Sequence, residues 1–511
     1  MIKISTGYLA GIALFAMTTG LHAYPLDGYD NTGIPRLQAQ KLMQEGVIKG
    51  TKRPPGELLP LERVDLRLLG HPDMVLPEPD AALTTEIKGL LGNHVDRYGI
   101  ALLDISDLEN IRYAEWNGNH KQNPGSVGKL LVALGLFQAL ADIYPDDIAA
   151  REKILRETVV TADQFSVYDH HTVPFWDNEQ QKYTRHAIQI GDQGTLYTYL
   201  DWMISPSSNS AAGMLQKQLI LLGHFGKAYP VSEEESAKFF KETSHKQLGV
   251  LFAKAIQEPI TRNGLDLKSL RQRSFLTREG KKRVPGTNSY ATPRSLVQFT
   301  LQMEQGKLVD EWSSRELKRL MYVTERRIRY ASSGVLRQSA VYFKSGSWYA
   351  CEEEVGFTCG KYKGNKRNFM NSVAIVESPA GQNQLQYMVI VLSNVLRMNS
   401  AQDHRDLARA IQSIMLRDHP GKPSANFGEG FVGYEAERQE LKLAVETQEA
   451  LLDLGYDTGG IDGVIGRNSR KAINDFQKKH GLAVTGKPSA ELVTKMQAVA
   501  QEKGLTRATV H

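Results

Sequence analysis

Apolar and polar positions change period along the chain and divide it into segments. Residues 24 to about 80 hold short apolar pieces among prolines, glycines and charges, and Lys52-Arg53-Pro54-Pro55-Gly56 is a breaker. This stretch reads as an extended lead-in, wrapped on the main domain. Ala81 to Val95 has a helical period. Gly99 to Ile105 reads as a buried strand, and Ile111 to Trp116 as its hairpin partner across a polar turn. Pro124 and Gly125 punctuate the entry to a helix that is apolar almost all round after Lys129. Further on, Ser232-Glu233-Glu234-Glu235 opens like a helix N-terminus. Val341-Tyr342-Phe343 is a β-rich run, Met388 to Leu392 reads as the last core strand, and Asp403 to Leu416 as the closing helix. Pro420 to Gly433 has the composition of a linker.

The apolar helix carries candidate chemistry at its start. Ser126 and Lys129 stand three apart and share one helical face. A serine hydroxyl is a poor nucleophile until an adjacent base takes its proton. A lysine serves as that base only when burial lowers its pKa, and an apolar helix supplies the burial. Taken alone the pair also reads as an ordinary helix start with a solvated lysine.

Composition narrows the setting. The chain has 511 residues, 41% hydrophobic and 23% charged, enough for two or three domains. The net charge of +5 is spread along the chain and gives no case for nucleic acid. Met1 to Ala23 has a short positive start, an apolar core from Leu9 to Met17 and a small residue at the end. It reads as a secretory signal cleaved after Ala23. No later stretch reads as apolar enough to span a bilayer, so the mature chain is expected to lack a transmembrane segment. Two cysteines in an exported chain, Cys351 and Cys359, are expected to bond, two separate buried thiols being the alternative. They are too few for a metal site and have no histidine at ligand spacing. His170-His171 reads as a bare surface pair. No metal or cofactor is expected.

Helix, two strands and a helix bearing Ser-x-x-Lys resemble the class A β-lactamase and penicillin-binding-protein superfamily of serine enzymes. That family carries three motifs in order. Here they stand as Ser126-Val127-Gly128-Lys129, Ser207-Ser208-Asn209 and Lys344-Ser345-Gly346. Gly194 to Met203 resembles the helix before the second motif, and Tyr290 to Leu296 the helix start after the Ω-loop. The resemblance implies an α+β fold, an antiparallel sheet flanked by helices plus an all-helical lobe, over residues 81–418. It implies that Ser126 is acylated, that Lys129 moves its proton, and that Ser207 passes a proton to the leaving nitrogen. Asn209 would hold Lys129 and the substrate amide. Lys344 and Ser345 would bind a substrate carboxylate, and Gly346 would let substrate backbone approach. The amides of Ser126 and Ser347 would form the oxyanion hole.

The chain departs from β-lactamases at the Ω-loop. Ser274 to Gly286 lacks the compact Glu-Pro-x-Leu-Asn sequence whose glutamate drives deacylating water. Glu279 stands too near Thr292 and reads as solvated, and Glu258-Pro259 lies too far upstream. Efficient β-lactam hydrolysis is therefore not expected, whereas acylation is. The insert from Tyr229 to Leu270 reads as a cover for one cleft wall, with no assigned substrate role. Residues 438–501, after a linker over 419–437, resemble a small three-helix peptidoglycan-binding domain. Gln448, Leu451, Gly455, Tyr456, Gly460, Asp462-Gly463, Ser469, Ala472, Phe476-Gln477 and Thr485-Gly486 carry that likeness, mostly as scaffold. The reading is a periplasmic or secreted, wall-associated serine hydrolase of the D,D-peptidase type. A β-lactamase or β-lactam trap, an esterase, and a non-catalytic peptidoglycan-binding protein are the alternatives.

Overall fold

Nine strands form three sheets in the computed structural model, which describes residues 27–167, 169–420, 434–458 and 465–502. The expected signal segment, most of the linker, Gly460 and the Asp462-Gly463 turn lie outside these residues. The strands are β1 (Tyr98–Asp104), β2 (Arg112–Trp116), β3 (Val159–Thr161), β4 (Thr172–Asp177), β5 (Lys182–Ala187), β6 (Gln193–Thr195), β7 (Ala340–Ala350), β8 (Arg367–Ser378) and β9 (Leu385–Asn394). The main sheet runs β2-β1-β9-β8-β7 and is antiparallel throughout. Two small ribbons, β3-β6 and β4-β5, stand apart from it.

Alternation along the strands explains why the sheet sits between two helical layers. Ala101 and Leu103 of β1, with Met388 and Ile390 of β9, face one core. Ile100 and Leu102, with Val389 and Val391, face the other. The second core is closed by helices Ala81–Gly89 and Ala401–Asp418, through Leu83, Ile87, Leu407 and Ile411. Strands covered on both faces read as continuous apolar runs, as they do in this sequence.

The first core continues into a lobe of helices around Lys129–Ile143, whose residues 129–138 are all buried. Helices Leu196–Ile204 and Asn209–Phe225 pack on it. The run Gly125–Ile143 is long and apolar enough to cross a membrane, contrary to the composition reading, but 72% of it is buried inside the protein. It is a core helix. The insert does not cover the cleft. Its helices Glu233–Glu242 and His245–Arg262 pack behind the lobe, burying Leu248, Phe252, Ile256 and Ile260.

The lead-in is not simply extended. Ile34 lets the chain enter a helix, Pro35–Glu45, with proline at its first turn. Arg36 of this helix is buried and grips Asp201 with two bonds of 2.7 Å, while also donating to Val323 O at 2.7 Å. Near the C-terminus, helices Tyr434–Asp453, Arg467–Lys479 and Ala490–Glu502 surround Leu451, Ile473, Phe476 and Met496. Gln448 donates to Ser469 Oγ, and Gln477 accepts from the Thr485 and Gly486 amides. These residues pin loops between helices, in keeping with a scaffold role.

Candidate active site

The first motif begins with a tight turn. Gly125 adopts φ +54°, and a 3-10 turn over Gly125–Gly128 feeds the helix that starts at Lys129. Ser126 is partly exposed at the mouth of a cleft of about 480 Å³, while Lys129 is fully buried beneath it. Lys129 Nζ donates to Ser126 Oγ at 3.1 Å and to Asn209 Oδ1 at 2.8 Å. It also reaches Ser207 O and, at 3.3 Å, Ser207 Oγ. Burial pulls its pKa down to about 7; Asp169 opposes this and Arg326 adds to it. An amine in that range is neutral in a large fraction of molecules at physiological pH, the condition for accepting a serine proton.

The second motif sits at the start of helix Asn209–Phe225, capped by Ser208. Ser207 takes φ +68°, an unusual value for a residue with a side chain, and this turns its carbonyl toward Lys129. The third motif lies on β7, the edge strand. Lys344 Nζ donates to Ser207 Oγ at 2.8 Å. The structure thus brings Ser126, Lys129, Ser207, Asn209 and Lys344 into one hydrogen-bonded chain.

Two expectations gain detail. Lys344, expected to place a cation at a substrate carboxylate, is only 2% exposed. Burial first, then the charges of Lys129, Arg326 and Arg329, pull its pKa well down. Among the described residues that line the cleft, the lysine and arginine side chains are those of Arg326, Lys361 and Lys281. Gly346 is expected to make room for substrate, but its more immediate constraint is the turn. A Cβ there would lie 2.0 Å from Pro124 O and 3.0 Å from Ser126 N. The reciprocal approach at Gly125 would put a Cβ 2.7 Å from Ser347 N. The two backbones touch, so the amides of Ser126 and Ser347 lie on adjoining segments, the arrangement an oxyanion hole needs.

Sequence reading passes over three side chains that organise the cleft. The Asp169 side chain is 1% exposed and accepts from Ser208 Oγ (3.0 Å), Asn209 N (2.6 Å) and Ser210 N (3.1 Å). It therefore fixes the N-terminus of the motif helix, whose exposed amides favour an anion. Arg329, also left-handed with φ +55°, donates to Gly346 O at 2.6 Å and Ser347 Oγ at 2.8 Å. It holds the end of the third motif. Arg326 donates to Tyr362 Oη at 3.0 Å and joins two cleft walls. Asp169 stands beside the histidine pair, which is the only signal of it in the sequence.

The Cys351–Cys359 bond is present, and the segment it closes leads to Lys361 and Tyr362 of the cleft wall. Glu279, expected to be solvated, is partly exposed and paired with Lys282 at 2.7 Å. Among the described residues that line the cleft none is Asp or Glu. His170 is exposed, as expected of a surface pair, but His171 is half-buried and both line the cleft.

No curated protein sequence matches the chain. Similar solved structures include a β-lactamase from Chitinophaga pinensis at 17% identity, covering 66% of this chain and 98% of that one, with a TM-score of 0.41. A β-lactamase from Sphaerobacter thermophilus is 13% identical, with 66% and 99% covered and a TM-score of 0.42. PBP-A is 15% identical, with 66% and 100% covered and a TM-score of 0.40. Residues 443–496 match the family model described as a putative peptidoglycan binding domain. Residues 82–412 match the model of the β-lactamase enzyme family, and the chain belongs to that family.

Proposed function

We propose that this chain is an exported serine hydrolase that forms an acyl-enzyme on wall peptides, as a D,D-peptidase. The observation that carries the proposal is Ser126 Oγ at 3.1 Å from a buried amine of pKa about 7. In this reading Lys129 takes the Ser126 proton as Oγ attacks the peptide carbonyl. The amides of Ser126 and Ser347 hold the oxyanion. Ser207, bonded to Lys129 and Lys344, hands a proton to the leaving nitrogen. Arg326 and Lys361 offer charge to the carboxylate of the leaving residue. The mature chain would begin at residue 24, its hydrolase domain would run over 81–418, and residues 438–501 would hold it to peptidoglycan. That last assignment supports a place outside the cytoplasm.

β-Lactam capture is the second reading, favoured by the absence of a carboxylate to drive release among the described residues that line the cleft. A fluorescent penicillin and a wall peptide ending in D-Ala-D-Ala separate the two. The proposal expects covalent label that is lost in Ser126→Ala, together with release of D-Ala. Label without D-Ala release favours capture. No label and no release refutes an acyl-enzyme and leaves a peptidoglycan-binding protein.

A further inference from the structure

Among the described residues that line the cleft there is no carboxylate of the kind β-lactamases use on water, but there is a histidine set up as a base. His171 lines the same cleft as Ser126, Ser207 and Asn209. Its Nδ1 lies 2.6 Å from Asp169 Oδ1. A carboxylate that accepts three further hydrogen bonds is ionised, so Nδ1 carries the proton and Nε2 is left as the basic atom. Its backbone amide also donates to Asp169 Oδ1, and its ring stacks on His170 at 4.6 Å between centroids. The ring is thereby fixed in place and tautomer, as an aspartate fixes the histidine of other serine hydrolases.

We infer that His171, oriented by Asp169, is the general base that activates water to release the acyl group from Ser126. The inference rests on the acyl-enzyme reading above. The water oxygen bonds to the acyl carbon as its proton passes to Nε2. The carbonyl then re-forms, the bond to Ser126 Oγ breaks, and the proton on His171 returns through cleft solvent to Oγ. Free acid and free serine result. The charged and titratable groups around the ring are Asp169, Lys129, Arg326 and His170. Burial, Lys129 and Arg326 lower the ring's affinity for protons and Asp169 raises it, with a net lowering. The ring is therefore neutral at pH 7 and ready to accept.

Two substrates separate the steps. Labelling by a fluorescent penicillin reports acylation, and turnover of an N-acyl-D-alanyl thioester, which acylates readily, reports release. In the full chain, His171→Ala is expected to slow thioester turnover about 100-fold while Ser126 still takes up label. Added imidazole should restore part of the lost turnover. In the wild type, release of a preformed acyl group should slow in acid, below the ordinary histidine value of about 6.5, and this dependence should vanish in the variant, whereas the pH response of acylation through Lys129 should stay in both. Thioester turnover within twofold of wild type overturns the inference. So does an equal loss of labelling and turnover without imidazole rescue, which marks a purely structural role. A wild-type chain that neither labels nor turns over refutes the acyl-enzyme reading itself.

Discussion

Lys129 shows how one side chain can be surrounded by acceptors and still hold its proton weakly. Desolvation outweighs the hydrogen bonds to Ser207 and Asn209 and the pull of Asp169. Because the neutral form is the base, labelling of Ser126 should rise with pH through about 7 and level off above about pH 8. A labelling rate that is flat from about pH 5.5 to 8.5 would count against Lys129 as the base. Gly346 makes a second residue-scale test. Its neighbours are backbone atoms, which cannot swing aside, so Gly346→Ala should cost about 1–3 kcal/mol and lower the labelling rate. Thermal unfolding and labelling of the variant check this. The motif residues are legible in the sequence because each set is nearly contiguous. Asp169, Arg326 and Arg329 are not, since each comes singly from an irregular segment. The left-handed backbones of Ser207 and Arg329 leave no mark in residue type, because serine and arginine rarely adopt them.

At the scale of elements, the legible parts are those with one clear period. β1, β9 and helix Ala401–Asp418 stand within a few residues of where their apolar runs place them. Helix Pro35–Glu45 escapes notice because its apolar stripe is short and flanked by breakers, and its place depends on Arg36 reaching a partner 165 residues away. The insert misleads for a related reason: periodicity reveals an apolar face but not which surface receives it. The disulfide-closed segment after β7 is an element whose value can be measured. With the cysteines 8 apart, the bond contributes about 2–3 kcal/mol by limiting the unfolded chain. Cys351→Ser with Cys359→Ser should lower the unfolding temperature and slow labelling, since Lys361 and Tyr362 follow directly. Unchanged values for both would show that this wall stands without the bond.

The whole molecule joins a hydrolase domain to a small helical one. Among the described residues, one ion pair between them is Arg409 with Glu449, both partly exposed. A pair of this kind is worth about 1 kcal/mol or less. Ending the chain at residue 420 should therefore leave penicillin labelling within about twofold of the full chain, and should abolish co-sedimentation with isolated peptidoglycan. Sedimentation that survives the truncation would place wall binding on the hydrolase itself.

The other end of the molecule is less dispensable. Arg36 clasps the helix that leads to Ser207 and, through Val323, the segment that delivers Arg326. Severing the clasp would strand the Asp201 carboxylate in a dry interior, a loss of about 3–5 kcal/mol. Arg36→Ala should therefore unfold at lower temperature and label poorly. A fragment trimmed to the family's own borders at 82 and 412 would be missing its keystone, and silence from such a fragment would testify to the trimming rather than to the enzyme.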